Sequence, residues 1–291
     1  MVANHFDTPI SRRDALALLG VAGIGGLSWH NSLFRAPVTR WGVQLYTLRS
    51  IAGRDLEGTL KTLAEIGYRE VETHTYYNRT AADIRKALDD AGLVAPSMHT
   101  NLNALTTNLP RLLEEANTIG HKWLIVASLP GSLTSTADGF KQAGEQLAKA
   151  AAAAKPAGIR VGFHNHAGEF KTFPVGEGGR EVTGMDLLLQ SSPADAVFVE
   201  LDVYWIVKGG ADPLAFLDKH RGRVKLLHLK DASAAPEIAM RDVGAGTINW
   251  PEVMKRADAG GAEHAFVEHD SPGDAVASVR ASFEYLSKLK K

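Results

Sequence analysis

The sequence contains no cysteine. A chain without cysteine has no disulfide framework, no thiolate nucleophile and no thiolate metal ligand. A bound metal ion would therefore have to be held by histidine, aspartate and glutamate. These ligands suit manganese, zinc, magnesium or cobalt better than copper(I) or an iron–sulfur cluster.

A large net charge is also missing. The 32 lysines and arginines nearly balance the 33 aspartates and glutamates, so the net charge at pH 7 is -1. Because there is no basic excess, we expect neither nucleic acid nor an anionic membrane surface as a partner. With 291 residues, 45% of them hydrophobic, the chain can bury a large core.

The N-terminal region lacks an apolar run long enough for a stable membrane span. Instead, Arg12 and Arg13 precede a short, glycine-rich segment from Gly20 to Leu27, which is typical of a twin-arginine export signal. We therefore expect residues 1–36 to be an export signal and linker, residues 37–291 to form the folded domain, and the protein to be periplasmic. The alternatives are an amphipathic helix or a chance arginine pair. Because no clear cleavage site is visible, the sequence leaves open whether the signal is removed.

From residue 40 onward, short apolar runs alternate with amphipathic helical patterns. Leu56, Leu60 and Leu63 share one face of the first helical pattern. Thr80 has the capping-box spacing to Asp83. Candidate strands begin at eight points: Trp41, Glu70, Ala95, Lys122, Ile159, Val197, Val224 and Ala265.

Eight strands that alternate with helices predict an α/β fold, namely a single-domain (β/α)8 TIM barrel. The alternative is an open doubly wound sheet, but no Gly-x-Gly-x-x-Gly follows the first strand. We also expect a long alanine-rich helix from Leu133 to Ala157 and a terminal helix from Asp274 to Lys288. Residues 176–180 and 232–248 are predicted to form longer loops over the barrel mouth.

Ligand-type side chains stand at the ends of the last four candidate strands: His164, Asp202, His228 and Glu268. In a barrel the C-terminal strand ends surround one cavity, so this pattern predicts a divalent metal site. Two of the four could instead have a purely structural role. Asp202 could cap a helix, and His228 could be a hydrogen-bonded core histidine.

Polar side chains near other strand ends are candidates for substrate contacts. Each of them could equally be a hydrogen-bonded residue of the barrel rim, and Trp205 could be either a platform for a sugar ring or a packing anchor. The candidates are Gln44, Glu72, His74, His99, Trp205 and Asp231.

Four segments resemble the xylose isomerase-like TIM barrel superfamily, which includes sugar phosphate isomerases/epimerases and class II AP endonuclease-like proteins. The likeness covers about residues 40–289. It rests on His164-Asn-His-Ala-Gly-Glu-Phe170, Leu201-Asp-Val-Tyr-Trp205 with Gly209-Gly210, His228-Leu-Lys-Asp231, and Val267-Glu268. The resemblance implies one divalent metal ion, with manganese favoured, held by residues of strands five to eight that are usually Glu, Asp, His and Glu.

Carried over residue by residue, this ligand set falls on Asp202, His228 and Glu268 for strands six to eight. The strand-five position falls on His164, where the family usually has glutamate, and Glu169 is the alternative ligand there. In related barrels the carboxylate ligands transfer a proton at a carbon beside a carbonyl group. A chain that has lost one of them needs another base.

His166 is the candidate general base, because residues two apart on a strand share a face and a neutral imidazole can accept a proton near neutral pH. Lys230 could stabilise a developing oxyanion. Glu169 could also act as a second acid or base.

His164-Asn-His166 followed by Glu-Phe resembles secreted family members linked to 3-keto-sugar metabolism. The resemblance implies a metal-dependent enzyme that abstracts a proton beside the carbonyl of a keto-sugar, above all a 3-keto-glycoside lyase, hydratase or hydrolase. The alternatives are a sugar isomerase or epimerase and, in another class, a non-catalytic sugar-binding barrel. A nuclease is disfavoured because the chain has no strong basic surface. The expected partner is a small sugar or glycoside, and a homo-oligomer is compatible with the sequence.

Overall fold

The computed structural model describes Val38 and residues 41–289. The predicted export signal, residues 1–36, lies outside the described residues and stays a prediction. No helix in the part of the chain that the structure describes is long and apolar enough to cross a membrane.

Eight parallel strands close into a barrel, in which each strand pairs with its neighbours in chain order and the last pairs with the first. The prediction of a (β/α)8 TIM barrel is thereby confirmed. The strands are β1 (Gly42–Gln44), β2 (Glu70–Thr73), β3 (Val94–Thr100), β4 (Trp123–Val126), β5 (Arg160–His164), β6 (Val197–Asp202), β7 (Val224–Leu229) and β8 (His264–Val267).

Helices connect the strands and pack around the barrel. The α-helices in the described residues are Arg49–Ala52, Leu56–Ile66, Ala81–Ala91, Leu102–Thr107, Leu109–Ile119, Gly131–Thr134, Ala137–Ala154, Gly184–Gln190, Val203–Lys208, Pro213–Lys219, Trp250–Ala259 and Ala275–Ser287. Short 3-10 helices cover Leu45–Leu48, Lys155–Ala157 and Gly168–Phe170.

Local sequence signals explain where these helices begin and end. The predicted capping box forms: the Thr80 hydroxyl accepts from the Asp83 amide at 3.1 Å, and the Asp83 carboxylate accepts from the Thr80 amide at 3.2 Å. Gly92 and Gly158 end helices in the left-handed conformation, with φ of 66° and 72°. Each of them turns the chain into the next strand.

The predicted helix from Leu133 to Ala157 is not continuous. A short helix ends at Thr134, and Thr136 then caps the helix Ala137–Ala154 by accepting a hydrogen bond from the Gly139 amide. Pro156 has no amide hydrogen to continue the α-helix, and the last turn becomes a 3-10 helix. The terminal helix was predicted correctly, with Asp274 as its N-cap.

The two regions predicted as long loops contain some strand pairing. Residues 176–179 form the turn of an antiparallel hairpin between Thr172–Val175 and Arg180–Thr183. At the start of residues 232–248, the short strand Asp231–Ala232 pairs with Met240–Arg241.

An apolar floor closes the N-terminal half of the barrel interior. Trp123, Ile125, Leu226 and Phe266 form it as a cluster separate from the main core. A Cβ atom at Gly42 would lie 2.4 Å from the Phe266 ring, so only glycine leaves room for this packing. Because side chains alternate along a strand, the residues two and four positions after these floor residues also point into the barrel, and they lie closer to its mouth.

His121, just before β4, leads to a prediction for acid stability. It is buried, its Nδ1 donates to the Ala95 carbonyl at 2.7 Å, and burial lowers its pKa to about 4. Between pH 6.5 and 4 the unfolded chain therefore binds more protons, so stability is complete above that window and falls as pH decreases through it. We expect protonation of His121 to lower the free energy of unfolding by about 3 kcal/mol between pH 7 and 4.

The measurement is urea unfolding at several pH values for the wild type and His121→Gln. The variant should be less stable at pH 7 but less sensitive to acid. Parallel stability curves for the two proteins would contradict the assignment.

Candidate active site

The C-terminal strand ends surround a cavity of about 510 Å³. Its walls combine imidazoles, carboxylates and one buried lysine, so the mouth of the barrel is chemically distinct from its apolar floor. The lining residues are Tyr46, Arg49, His74, His99, Thr100, Asn101, Ala127, Ser128, His164, His166, Lys230, Glu268, Asp270 and Ser271.

The four predicted metal ligands are brought together. His164, Asp202, His228 and Glu268 are all buried and each offers one ligand atom within 4.8 Å of the others. Nδ1 of His228 lies 2.8 Å from Oε2 of Glu268, and Nε2 of His164 lies 3.6 Å from Oδ2 of Asp202. The set contains two imidazoles and two carboxylates, which are ordinary ligands of divalent ions.

Asp202 is both a helix cap and a member of this group. It ends β6, and its Oδ1 accepts from the Trp205 amide at 2.9 Å as the N-cap of the helix Val203–Lys208. Its Oδ2 is buried and lies 2.9 Å from the Lys230 ammonium and 3.6 Å from Nε2 of His164. One carboxylate therefore anchors the backbone with one oxygen and presents the other to the cluster.

Lys230 neutralises the carboxylates of this group. Its buried ammonium lies 2.6 Å from Glu268, 2.7 Å from Asp270 and 2.9 Å from Asp202. Burial opposes the charge, but these three carboxylates outweigh it and raise the pKa of Lys230 above its ordinary value. Lys230 is therefore a fixed cation at the edge of the cavity.

Glu200 is a site residue that the sequence patterns above did not single out. It is fully buried on β6 and forms a second ligand group with His99, His164 and His228. Its Oε2 lies 2.6 Å from His99 and 3.2 Å from both His164 and His228, whereas its Oε1 has no hydrogen bond within the described residues. Burial and neighbouring Glu72 raise the pKa of Glu200 to about 7.

A sequence signal for Glu200 was present. It stands two residues before Asp202 on the same strand, so the alternation that turns Asp202 inward turns Glu200 inward as well. A glutamate between Val199 and Leu201 in an apolar strand is costly unless it is paired.

Gln44 and Glu72, predicted to contact substrate, lie in the layer beneath the cavity and do not line it. Both are fully buried. Glu72 accepts hydrogen bonds from Gln44 at 2.6 Å, from the Ser97 hydroxyl, and from Nε2 of His228 at 2.7 Å. Burial alone would raise the pKa of Glu72, but His99 and His228 outweigh it and hold the value at about 2. Glu72 therefore orients His228 from below.

His166 stands at the rim, just beyond β5. Its ring centre is 5.0 Å from that of His164 and 5.3 Å from that of Trp205. Burial, with a contribution from Lys230, lowers the pKa of His166 to about 4. Its imidazole is neutral at pH 7 and lines the cavity, whereas Trp205, predicted to contact substrate, contacts this ring and does not line the cavity.

Glu169, the alternative strand-five ligand, belongs to neither group of ligand atoms in the described residues. Its Oε2 accepts from the His166 backbone amide at 2.8 Å, and burial raises its pKa. The structure therefore brings His164, not Glu169, to the other three ligands. The contact that Glu169 makes is one that fixes the backbone of His166.

Asp231, also predicted to contact substrate, is turned away from the cavity. One carboxylate oxygen accepts from the amides of Ala232 and Ile248, and the other accepts from the Gly244 amide and from Nε1 of Trp250. Four donors fill its hydrogen-bonding capacity. Its role in the structure is to hold residues 232–248 against the barrel.

We expect Asp231→Ala to destabilise the fold by about 3 kcal/mol, because four donors, those of Ala232 and Trp250 fully buried, lose their acceptor. The KM of the folded variant should stay close to the wild-type value. Urea unfolding and steady-state kinetics on the same preparations test this. A large rise in KM with unchanged stability would restore Asp231 as a substrate contact.

Residues 60–289 match the model of a protein family described as xylose isomerase-like TIM barrel. An inosose dehydratase of Clostridium beijerinckii is 23% identical over 273 residues, which cover 81% of this chain and 87% of the relative. The match to an inosose dehydratase of Geobacillus kaustophilus is 24% identical over 196 residues, 59% of this chain and 60% of the relative.

Two solved structures illustrate the likeness of fold. A sugar phosphate isomerase/epimerase from Parabacteroides distasonis superposes with a TM-score of 0.74 at 27% identity, over 88% of this chain and 96% of that one. The IOLI protein, solved with a binding zinc atom, has a TM-score of 0.69 at 14% identity, over 86% of this chain and 97% of that one. At that identity the second likeness shows the fold alone.

Proposed function

Because the chain belongs to the xylose isomerase-like TIM barrel family, we propose that it is a metal-dependent carbohydrate enzyme that removes a proton beside a carbonyl group. The observation that carries the proposal is the neutral imidazole of His166, which lines the cavity beside a cluster of buried ligand atoms. A neutral base beside groups that could hold a cation is an arrangement that suits such a proton abstraction.

One divalent ion, with manganese favoured, fits the residues present. His164, Asp202, His228 and Glu268 would hold it, because they are buried and offer two imidazole nitrogens and two carboxylate oxygens within 4.8 Å of one another. The ion would act as a Lewis acid that polarises the substrate carbonyl. The IOLI protein, which shares the fold, was itself solved with a binding zinc atom.

The chain's own residues would supply the proton transfer and part of the charge stabilisation. His166 would take the proton from the carbon beside the carbonyl, and the Glu169 contact to its backbone would keep the imidazole in place. Lys230 lines the same cavity, so its ammonium would stabilise negative charge that develops on oxygen.

We further propose that the substrate is a 3-keto-glycoside and that the outcome is elimination, as a lyase, hydratase or hydrolase. The ketone at C3 acidifies the C2 proton, and its removal allows the group on C1 to leave. The inosose dehydratase relatives support this outcome, because dehydration is itself an elimination.

A sugar isomerase or epimerase is the second candidate. It is favoured by the sugar phosphate isomerase/epimerase at 27% identity, and it would use the same base. The two candidates differ in their products. Isomerisation conserves a single sugar, whereas elimination releases the aglycone.

The test is proton NMR of the purified protein with a 3-keto-glucoside, before chelation, after chelation and after metal restoration. Metal-dependent loss of the C2 proton together with aglycone release supports the elimination. Exchange at C2 or a rearranged sugar without release supports the epimerase. If the spectrum of the 3-keto-glucoside stays unchanged with every metal tested, the proposed substrate class is wrong.

His166→Gln should lower turnover by about 100-fold to 10,000-fold, because a positioned general base contributes that much. The variant should keep its fold and its metal content, since His166 is in neither ligand group of the described residues. Steady-state rates with metal analysis provide the measurement. Full activity of the variant would mean that another group is the base.

Export through the twin-arginine pathway remains part of the proposal, on the basis of Arg12 and Arg13. Expression of the full chain in a bacterial host, with replacement of both arginines by lysine, tests it. Loss of the protein from the periplasmic fraction is the expected result.

A further inference from the structure

His74 is a cavity residue that the proposed chemistry does not yet use. It follows β2 and lines the cavity. Its Nδ1 atom is buried and has no hydrogen-bond partner among the described residues. An unpaired buried polar atom costs stability. Because the residue lines the cavity, a bound ligand can supply the hydrogen bond that this nitrogen lacks in the structure.

The ring of His74 is held by two tyrosines. The ring centres of Tyr46 and Tyr77 lie 5.3 Å and 5.7 Å away, both nearly perpendicular to the imidazole. The backbone of Tyr77 is in the left-handed region, with φ of 51°, and its hydroxyl is also buried without a partner in the part of the chain that the structure describes. Strain combined with unpaired polar atoms is typical of functional loops.

The barrel places His74 across the cavity from the proposed base. His74 follows β2 and His166 follows β5, and strands three apart in a closed barrel of eight lie on nearly opposite sides of the mouth. Both side chains line the same cavity. A sugar ring bound there would therefore have His166 on one side and His74 on the other.

Room for the rest of a glycoside lies next to the first cavity. A second cavity, of about 440 Å³, adjoins the first and shares Arg49 and Ser271 with it. The Arg49 guanidinium stacks on Tyr46 at 4.0 Å, and Tyr46 in turn contacts His74. The part of the substrate beyond the reacting ring would extend past His74 into this space.

We propose that His74 donates a hydrogen bond to the oxygen that leaves the sugar, a step that rests on the proposed function. His166 takes the C2 proton, and the C2–H electron pair forms the C1=C2 double bond. The electron pair of the C1–O bond leaves on the glycosidic oxygen, which takes a proton from water. The hydroxide left by that water neutralises the protonated His166.

The neutral state of His74 suits this role. Burial lowers its pKa to about 4, so at pH 7 the ring carries one N–H and one lone pair. A neutral imidazole can stabilise developing negative charge on oxygen without giving up its proton. His74 is thereby distinguished from His166, which must accept a proton.

The test compares methyl and 4-nitrophenyl 3-keto-β-glucosides with wild type and His74→Phe. Phenylalanine keeps the ring contacts to Tyr46 and Tyr77 but removes the donor. We expect release of methanol to fall by about 100-fold, the usual effect of losing one oxyanion donor. Release of nitrophenol should fall by less than about threefold, since nitrophenolate leaves without assistance. Exchange of the C2 proton in D2O should persist with both substrates.

A second variant, His74→Gln, keeps an N–H donor and should recover about tenfold of the lost methanol release. Thermal unfolding serves as the folding control. The melting temperature of His74→Phe should be equal to or higher than that of the wild type, because an unpaired buried nitrogen is removed.

Two outcomes would overturn the role of His74 alone. Equal losses with both leaving groups would show that it does not act on the leaving oxygen, and loss of C2 exchange would place it with the base. A wild type that neither exchanges the C2 proton nor releases either aglycone would instead overturn the proposed function, and this inference with it.

Discussion

Asp202→Asn should lose the bound divalent ion and about a thousandfold in turnover. The amide cannot supply the negative charge of the buried oxygen that faces His164 and Lys230. Asparagine still caps helices as well as aspartate, so the cap on the helix Val203–Lys208 should survive. The substitution therefore removes the metal-ligand role of residue 202 while it keeps the helix-capping role.

Metal content after dialysis, measured by plasma mass spectrometry, and the rate on the substrate check this result together. Asp212→Asn is the matched control, because Asp212 caps the helix Pro213–Lys219 and belongs to neither ligand group in the described residues. The control should retain metal and activity. An Asp202→Asn protein that retains both would remove Asp202 from the site.

Lys230→Met should destabilise the metal-free protein by about 3–5 kcal/mol, because removing one partner of a buried ion-pair network leaves uncompensated charge. Asp202, Glu268 and Asp270 would be left without the cation that now contacts them. A divalent ion held by Asp202 and Glu268 would compensate part of that charge. The loss should therefore be smaller in manganese than in chelator.

Urea unfolding in EDTA and in manganese, for wild type and variant, provides the measurement. Lys208→Met serves as control, since the Lys208 ammonium donates to the Glu237 and Ile238 carbonyls at the surface, and its loss should cost under about 1 kcal/mol. Equal losses for Lys230→Met with and without metal would show that lysine and metal do not share these carboxylates.

Much of the fold follows from local signals in the sequence. The capping box at Thr80, the left-handed glycines at positions 92 and 158, and the apolar runs between them each act over a few residues. Such short-range signals can be recognised from a few neighbouring residues, without knowledge of the rest of the chain. The predicted helix from Leu133 to Ala157 was wrong at its end because Pro156, itself a local signal, stops the α-helix there.

The grouping of His164, Asp202, His228 and Glu268 could also be anticipated from the sequence. Parallel strands in a closed barrel end at one mouth, so residues at the ends of four successive strands must converge. Once the barrel is predicted, this convergence needs no further information.

Only the tertiary structure decided what each polar residue bonds to. Asp231 follows Lys230 directly, yet Lys230 faces three carboxylates in the cavity and Asp231 faces Trp250 and loop amides. Glu72 supports His228 from below, and Glu200 stands among three imidazoles.

The sequence alone thus determined the barrel, its strand ends and the chemical types gathered at the mouth, because these depend on alternation and chain order. The partners depend on distances between strands that are far apart in sequence. Glu72 and His228 are 156 positions apart and their side chains are 2.7 Å apart. No spacing within a short stretch of sequence predicts this contact, because the two side chains meet only when the barrel closes.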